Sequence, residues 1–221
     1  MVKKFELTNL QKSILANLTK SDLQAIFYWT GGTALAFFYL KHRLSFDIDL
    51  FSKKMIQYHD VKKFADNIAN QTGLKKIEEK KIMDRWEFFL TNHSQARLDF
   101  AYFDYKSLKP HTNWQGIWVD SFEDVVANKT MALIDRHDPK DAFDIYHIIT
   151  QKKYSAKKLL KLVKQKFQSD FPVSLFWSQC LLGAKELNKI TPLMLVNTIR
   201  ETQKIIDFFE KQSADDLKEE L

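Results

Sequence analysis

The chain has 221 residues, 45% of them hydrophobic, with only 5 glycines and 4 prolines, so it can bury a sizeable core and is neither low-complexity nor collagen-like. One cysteine, Cys180, excludes an internal disulfide and a thiolate metal centre, and no apolar run reaches the length of a bilayer-spanning helix. The net charge of +6 resides in the first half, where residues 1–118 hold 18 Lys and Arg against 12 Asp and Glu, while residues 119–221 hold 16 against 16.

Met1-Val2-Lys3-Lys4 leads into a polar stretch, not an apolar one, so no signal peptide is read and a cytoplasmic location is expected. Leu7, Leu10, Ile14 and Leu18 follow helical spacing, and the first thirty residues read as helical with a restart at Ser21. Gly31-Gly32 interrupts an apolar stretch, Thr33 is placed to cap, Ala34 to Leu40 reads as a short buried helix, and a turn follows at Lys41 to Arg43. Ser45 to Phe51 alternates as a strand does, with Phe46, Ile48 and Leu50 on one face and Asp47 and Asp49 on the other. Tyr58 to Thr72 is an amphipathic helix that Gly73 ends. Strands are expected at Leu74 to Ile82, Trp86 to Thr91 and Arg97 to Phe103, the last two joined as a hairpin by Asn92 to Gln95, with Gly116 to Val119 as a short edge strand.

From Ser121 onward the pattern is helical. Ser121 with Asp124 resembles a capping box opening a helix to Arg136, and Asp138-Pro139 starts another that runs to about Thr150. Ser155 and Thr191-Pro192 open two more, a further helix lies around Ser174 to Leu187, and the residues from about Ser213 are expected to fray. Seven lysines from Lys152 to Lys166 occur with no acid between them. Ala156, Leu159, Leu160, Val163 and Phe167 are spaced to face a core, which turns Lys157, Lys158, Lys161 and Lys164 outward as a stripe that suits a phosphate backbone or, alternatively, solvent alone.

Two aspartates at i and i+2 on a strand project from one face and can reach one metal cluster, and phosphoryl transfer needs divalent metal more than covalent help from the protein. Asp47 and Asp49 meet that description. Gly31, Gly32 and Thr33 just ahead of a helix offer backbone N–H groups and little steric bulk to a triphosphate; the alternative is a tight turn. Asp99 supplies a third carboxylate on a strand of its own, able to ligate a metal and to accept the proton of an attacking hydroxyl, or alternatively to pair with Arg97. The histidines show no zinc-motif spacing, no G-x-S-x-G elbow is present, and His42 reads as a turn histidine bonded to backbone or as a substrate contact.

Thr30-Gly31-Gly32-Thr33-Ala34-Leu35 with His42-Arg43-Leu44-Ser45-Phe46-Asp47-Ile48-Asp49-Leu50-Phe51 is similar to the first motif of the AbiEii/AbiGii-type toxins, of the nucleotidyltransferase superfamily with the DNA polymerase beta-like fold. Gly32 takes the place of the superfamily's usual serine, as in the GGTAL form of this family. Asn128 to Arg136 and Pro139 to Ile145 resemble a second block of the family, so the likeness spans roughly residues 27–150. It implies that Lys129 meets the nucleotide phosphates and that Arg136, Lys140, Asp141 and Asp144 help form the site, with Arg43 and Ser45 of the first motif on the substrate. On physical grounds Lys129 is a compact cation suited to a polyphosphate, or a plain surface lysine. Asp141 and Asp144, three apart, share a helix face, and with Arg136 and Lys140 they form either part of the site or an ion network clamping two helices.

The resulting expectation is an α/β fold, a nucleotidyltransferase-like mixed sheet with flanking helices over residues 1–118, followed by a helical domain over 119–221 that completes the active-site cleft. The expected reaction is Mg²⁺-dependent transfer of NMP from an NTP to an acceptor hydroxyl. Asp47, Asp49 and Asp99 are the metal ligands and, with Lys129 and Asp141, the catalytic residues. The resemblance implies a toxin of a toxin–antitoxin or abortive-infection system, a cognate antitoxin, and an acceptor such as the 3′ end of tRNA. The alternatives are a small-molecule or protein acceptor, or a non-catalytic nucleotide-binding protein that keeps the fold.

Overall fold

The computed structural model describes residues 5–74, 76–91, 95–196 and 199–218. The chain divides into a sheet-bearing unit, Glu6–Tyr39 with Ser45–Ser121, and a helical unit from Phe122 onward that also takes in Phe5 and Leu40–Leu44.

In the sheet-bearing unit, α1 (Asn9–Leu18) starts at a capping box in which Thr8 accepts from the Gln11 amide and the Gln11 side chain accepts from the Thr8 N–H. The sheet comprises β1 (Tyr28–Thr30), β2 (Ile48–Ser52), β3 (Lys76–Ile82), β4 (Arg85–Thr91), β5 (Gln95–Tyr102), β6 (Thr112–Trp114) and β7 (Ile117–Val119), ordered β3-β4-β5-β2-β1-β7-β6. It is mixed: β2 runs parallel to β5 and β1 parallel to β7, and the remaining neighbours are antiparallel. Because side chains alternate along a strand, Ile48 and Leu50 share a face with Leu98, Phe100, Phe88 and Leu90, and all six are wholly buried. α3 (Tyr58–Thr72) turns Val61, Phe64, Ala65 and Ile68 inward, with the Phe64 ring edge-on to Phe100 at 5.9 Å, and ends at Gly73 in the left-handed region. Each such apolar side chain contributes about 1.5–3 kcal/mol on burial. The opposite face carries the charges Asp49, Arg97, Asp99, Arg85 and Glu87.

In the helical unit, α4 (Phe122–Asp135) is followed by α5 (Pro139–Lys152), α6 (Ala156–Phe167), α7 (Val173–Ala184) and, after a 3₁₀ segment at Leu187–Leu193, α8 (Ile199–Lys218). Asp138 caps α5 by accepting from Lys140 N–H, and Ser155 caps α6 by accepting from Lys158 N–H. Trp177 of α7, nearly wholly buried, lies 6.1 Å from Phe209 of α8, with its Nε1 donating to Asp216 at 3.0 Å. Among the described residues no helix is long and apolar enough to cross a membrane.

Several sequence expectations differ from these elements. The first thirty residues are not all helical: Ser21 makes no side-chain cap, only a 3₁₀ turn forms at Asp22–Ala25, and Tyr28–Thr30 is a strand. A strand buried on both faces shows no alternation to read. Gly31–Ala34 forms α2, and Leu35–Leu40 continues it as a wider π turn. Strand pairing starts at Ile48, not Ser45, because Gln11 Nε2 and the Thr33 hydroxyl bond the approach to it, leaving Phe46 38% exposed. The strand at Ile117–Val119 is internal, with β6 outside it. Thr191-Pro192 lies within the 3₁₀ segment and opens no helix, and α8 continues past Ser213 to Lys218. The expected Asn92 to Gln95 turn lies largely outside the described residues.

The lysine stripe also divides. Lys157, Lys158, Lys161 and Lys164 are exposed, but Lys166 turns inward, 4% exposed, and its Nζ lies 2.7 Å from Asp124 of α4. Losing one partner of a buried pair strands the other charge, so Lys166→Ala is expected to cost about 3–5 kcal/mol, whereas Lys161→Ala stays within about 0.5 kcal/mol. Urea unfolding of both variants checks this, and equal midpoints would contradict it.

Candidate active site

The site in the sheet-bearing unit begins where β1 ends. Thr30 Oγ1 donates to Asp120 Oδ2 at 2.8 Å, and the chain enters α2 through Gly31 at φ +78, a backbone region that side chains avoid. A Cβ built on Gly31 would collide with the carboxylate of Asp49, so glycine is required here by close approach as well as by conformation. Gly31 and Gly32 are half-buried. Thr33, which the sequence offers as a phosphate ligand, is wholly buried: its hydroxyl is shared between Ser45 Oγ (2.9 Å) and the Asp47 carbonyl. Ser45 is buried too, with its carbonyl accepting from Gln11 Nε2 at 3.0 Å. Thr33 and Ser45 therefore shape the approach to β2 from inside.

Asp49 lies directly across from Asp99 in the β2–β5 register, and Asp99 directly across from Glu87 in the β5–β4 register. Three carboxylates thus form one row across three strands, an arrangement of like charges that a sheet ordinarily avoids. Asp47 precedes β2. Arg97, two residues before Asp99 on β5, sends Nη2 to Asp47 Oδ2 and Nε to Asp99 Oδ1, each at 3.0 Å, and Arg85 pairs with Glu87. Both oxygens of Asp99 are buried and accept no hydrogen bond from a described residue. Burial, reinforced by the charge on Asp49, pushes the Asp99 carboxyl up to about 8, against the pull of Arg97 and Arg85.

The fold family implies a divalent cation here, and the donor set is suitable: hard carboxylate oxygens, two of them orphaned on Asp99. Among the described residues no three carboxylate, imidazole or thiol side chains are arranged to hold an ion as they stand. The guanidinium of Arg97 lies between Asp47 and Asp99.

In the helical unit a second cluster is neutralised throughout. Asp141 and Asp144 of α5 are wholly buried, and Lys129 Nζ of α4 lies 2.9 Å from each. Asp144 also takes Arg43 in a two-pronged pair (Nε to Oδ1 2.7 Å, Nη2 to Oδ2 2.9 Å) and His42 Nε2 at 2.6 Å. Asp141 accepts from Arg136 Nε at 2.8 Å. Leu44 N–H donates to the Leu193 carbonyl at 2.7 Å, so backbone also holds the Leu40–Leu44 segment. Burial alone would raise both carboxyls. Arg43 and Lys129 hold Asp144 well below the usual carboxylate range, and Lys129 and Arg136 hold Asp141 below it. Burial works against the Lys129 ammonium, but its two carboxylates outweigh it and raise the group to about 12. Burial pulls His42 down despite Asp144, and pulls His147, 5.0 Å from the His42 ring, down to about 3.

Of the residues singled out in the sequence, the structure brings together Gly31, Asp47, Asp49 and Asp99 in one unit and Arg43, Lys129, Arg136, Asp141 and Asp144 in the other. Lys140 stands outside the second cluster, 3.5 Å from Asp138 at the start of α5. His42 binds a carboxylate and not the turn backbone. Sequence reasoning missed Glu87 and Arg85 altogether and took Arg97 only as an alternative partner. The available signal was strand period: Arg97 and Asp99 are two apart on β5, as are Arg85 and Glu87 on β4.

Comparison with known proteins adds a family. Residues 13–219 match the model described as nucleotidyl transferase AbiEii toxin, Type IV TA system. An uncharacterised protein of Aquifex aeolicus (strain VF5) is 26% identical over 170 residues, covering 74% of this chain and 77% of that one. Among solved structures, an H. pylori protein provisionally assigned as a nucleotidyltransferase superposes with TM-score 0.62 at 18% identity, covering 96% of this chain and 95% of that one. MenT4, a nucleotidyltransferase toxin of Mycobacterium tuberculosis H37Rv, superposes with TM-score 0.56 at 12% identity over 93% of this chain and 82% of that one. These two likenesses establish the nucleotidyltransferase-like fold.

Two predictions follow from the geometry. Gly31→Ala is expected to destabilise more with Asp49 present than in an Asp49→Ala background, with a coupling of at least about 0.5 kcal/mol, because the second change removes the collision with the carboxylate but neither the close Asp49 Cβ nor the positive φ. A double-mutant cycle in urea tests it, and additivity would contradict it. The second concerns pH. Asp141 and Asp144, depressed on folding, contribute stability that is complete above about pH 3.9 and is lost as pH falls through their lower folded values. Lys129, raised on folding, contributes below about pH 10.4 and loses its contribution as pH rises through about 12. His42 and His147, lowered on folding, favour the folded state above about pH 6.5 and progressively oppose it below. His147→Gln is therefore expected to flatten the decline of the urea midpoint between about pH 6.5 and 5, and an unchanged slope there would refute the assignment.

Proposed function

This chain belongs to the AbiEii nucleotidyl transferase toxin family, and from that premise we propose that it moves an NMP group from an NTP to an RNA hydroxyl, such as the 3′ end of tRNA, releasing pyrophosphate. The observation that carries the reading is the row Asp49–Asp99 on neighbouring strands, with Asp47 just ahead of it, on the charged face of the sheet. Such a row is costly in a folded protein and useful to one that must collect cations around a triphosphate. Asp47, Asp49 and Asp99 are the residues that would hold Mg²⁺, which when bound supplies positive charge against the phosphates and lowers the cost of charge build-up on the transferring group.

The remaining roles belong to the chain's own groups. Asp99 accepts the proton of the attacking hydroxyl at a carboxyl oxygen. Gly31 leaves room for the Asp49 carboxylate, and the half-buried Gly31-Gly32 backbone faces the phosphates. Lys129 is the cation that the family likeness assigns to nucleotide phosphates, and Asp141 and Asp144 hold its ammonium in place. Arg43 and His42 fix Asp144, and Arg136, whose side chain is 53% exposed, fixes Asp141 from the solvent side. The exposed lysines of α6, Lys157, Lys158 and Lys161 among them, favour a polyanionic acceptor over a small one. A cognate antitoxin is the proposed partner, as the family's description implies.

Incubation with Mg²⁺, each labelled NTP in turn, and total RNA is expected to label RNA with wild-type protein. Asp49→Ala should lower turnover by at least about a hundredfold while thermal melting shows a folded protein. Label appearing on protein or a small molecule would move the acceptor class. Undiminished turnover in folded Asp49→Ala would sink the reading of the carboxylate row.

A further inference from the structure

Arg97 occupies an unusual position for a permanent structural cation. It leaves β5 on the same face as Asp99 and reaches Asp47 through Nη2 and Asp99 through Nε, both at 3.0 Å. The contact with Asp99 is an ion pair without hydrogen-bond alignment, since neither Arg97 Nε nor either Asp99 oxygen has a hydrogen-bond partner among the described residues. Its side chain is 30% exposed, whereas that of Asp99 is 1% exposed, so the cation can leave toward water and the carboxylate cannot. Arg85 is paired with Glu87 and acts on Asp99 only from a distance, so among the described residues Arg97 is the cation in contact with both Asp47 and Asp99. A charge pair with poor alignment at a half-open position is held by Coulomb attraction alone, which a small dication can exceed.

We propose that Arg97 is an internal counter-ion that competes with the divalent cation for Asp47 and Asp99 and thereby sets the metal affinity of the site. This inference rests on the reading of those carboxylates as metal ligands. Without metal, the guanidinium offsets the repulsion among Asp47, Asp49 and Asp99. With metal, it must leave both carboxylates, and that departure weakens the measured affinity. Arg97 is thus a positioning residue that acts through the carboxylates.

The test is calorimetric titration of the full chain with Mn²⁺ alone, beside thermal melting in EDTA and in Mn²⁺. Arg97→Gln removes the competitor, so it should bind Mn²⁺ about tenfold more tightly, equivalent to about 1.4 kcal/mol, melt lower than wild type in EDTA, and gain more from Mn²⁺. Arg97→Lys keeps a cation and should stay near wild-type affinity. A purely structural arginine would also lower the EDTA melting temperature on loss, but without tightening Mn²⁺, so equal or weaker binding by Arg97→Gln overturns the inference. If Arg97→Gln does not fold, the wild-type protein decides: Mg²⁺ should shift the Arg97 side-chain Nε resonance, assigned by its loss in Arg97→Lys, and an unmoved signal overturns the proposal. Mn²⁺ binding that Asp49→Ala abolishes and Arg97→Gln leaves unchanged would refute this inference alone. Absence of Mn²⁺ binding in wild type would refute the metal reading and this inference together.

Discussion

The arrangement of the sheet-bearing unit turns on one electrostatic constraint, the placement of Asp49, Asp99 and Glu87 side by side across three strands. Like charges directly opposite one another oppose sheet pairing, so the surroundings must compensate. They do so in three ways. Arg97 and Arg85 stand two residues before Asp99 and Glu87 on their own strands and bring positive charge to the same face. Gly31 gives up its side chain so that Asp49 has room against the turn after β1. The opposite face, with Ile48, Leu50, Leu98, Phe100, Phe88 and Leu90 wholly buried, supplies the apolar burial that keeps these strands in register, because a slip of one residue would turn every carboxylate into the core.

The two charged clusters show how the same burial produces opposite chemistry. Asp99 and Asp144 are both shut away from water, and desolvation acts to raise both. Asp99 ends near 8 because a carboxylate is its strongest charged neighbour. Asp144 ends well below the carboxylate range because Arg43, Lys129 and His42 all converge on its two oxygens. The first cluster is therefore short of positive charge and suited to recruiting it. The second is satisfied, and it fixes the consecutive helices α4 and α5 to each other and to the Leu40–Leu44 segment, where Arg43 and Asp144 are 101 residues apart.

Much of the site was legible in the chain. The period of two at Asp47 and Asp49, the neighbouring glycines, Asp99 on a separate strand, and Asp138-Pro139 as a helix start are all local signals, set by backbone geometry within a few residues. Strand period puts Arg85 and Glu87 on one face of β4, but it does not tell whether that face meets solvent or a partner strand's charges. Lys166 shows the same limit in a helix: lysine spacing placed it in a basic stripe, while its position relative to Asp124, 42 residues away, placed it in the core.

By itself the sequence determined the alternation that puts carboxylates on one strand face, the helix stop at Gly73 and the caps Asp138 and Ser155, and the amphipathic faces of α3 and α6, because these depend on interactions a few residues apart. Only the tertiary structure decided which strands are neighbours, and so that Asp49, Asp99 and Glu87 share a row. It alone decided that Arg97 lies between Asp47 and Asp99, and that Lys129 meets two carboxylates from the next helix. Those pairings depend on strand order and helix packing, which no local periodicity encodes.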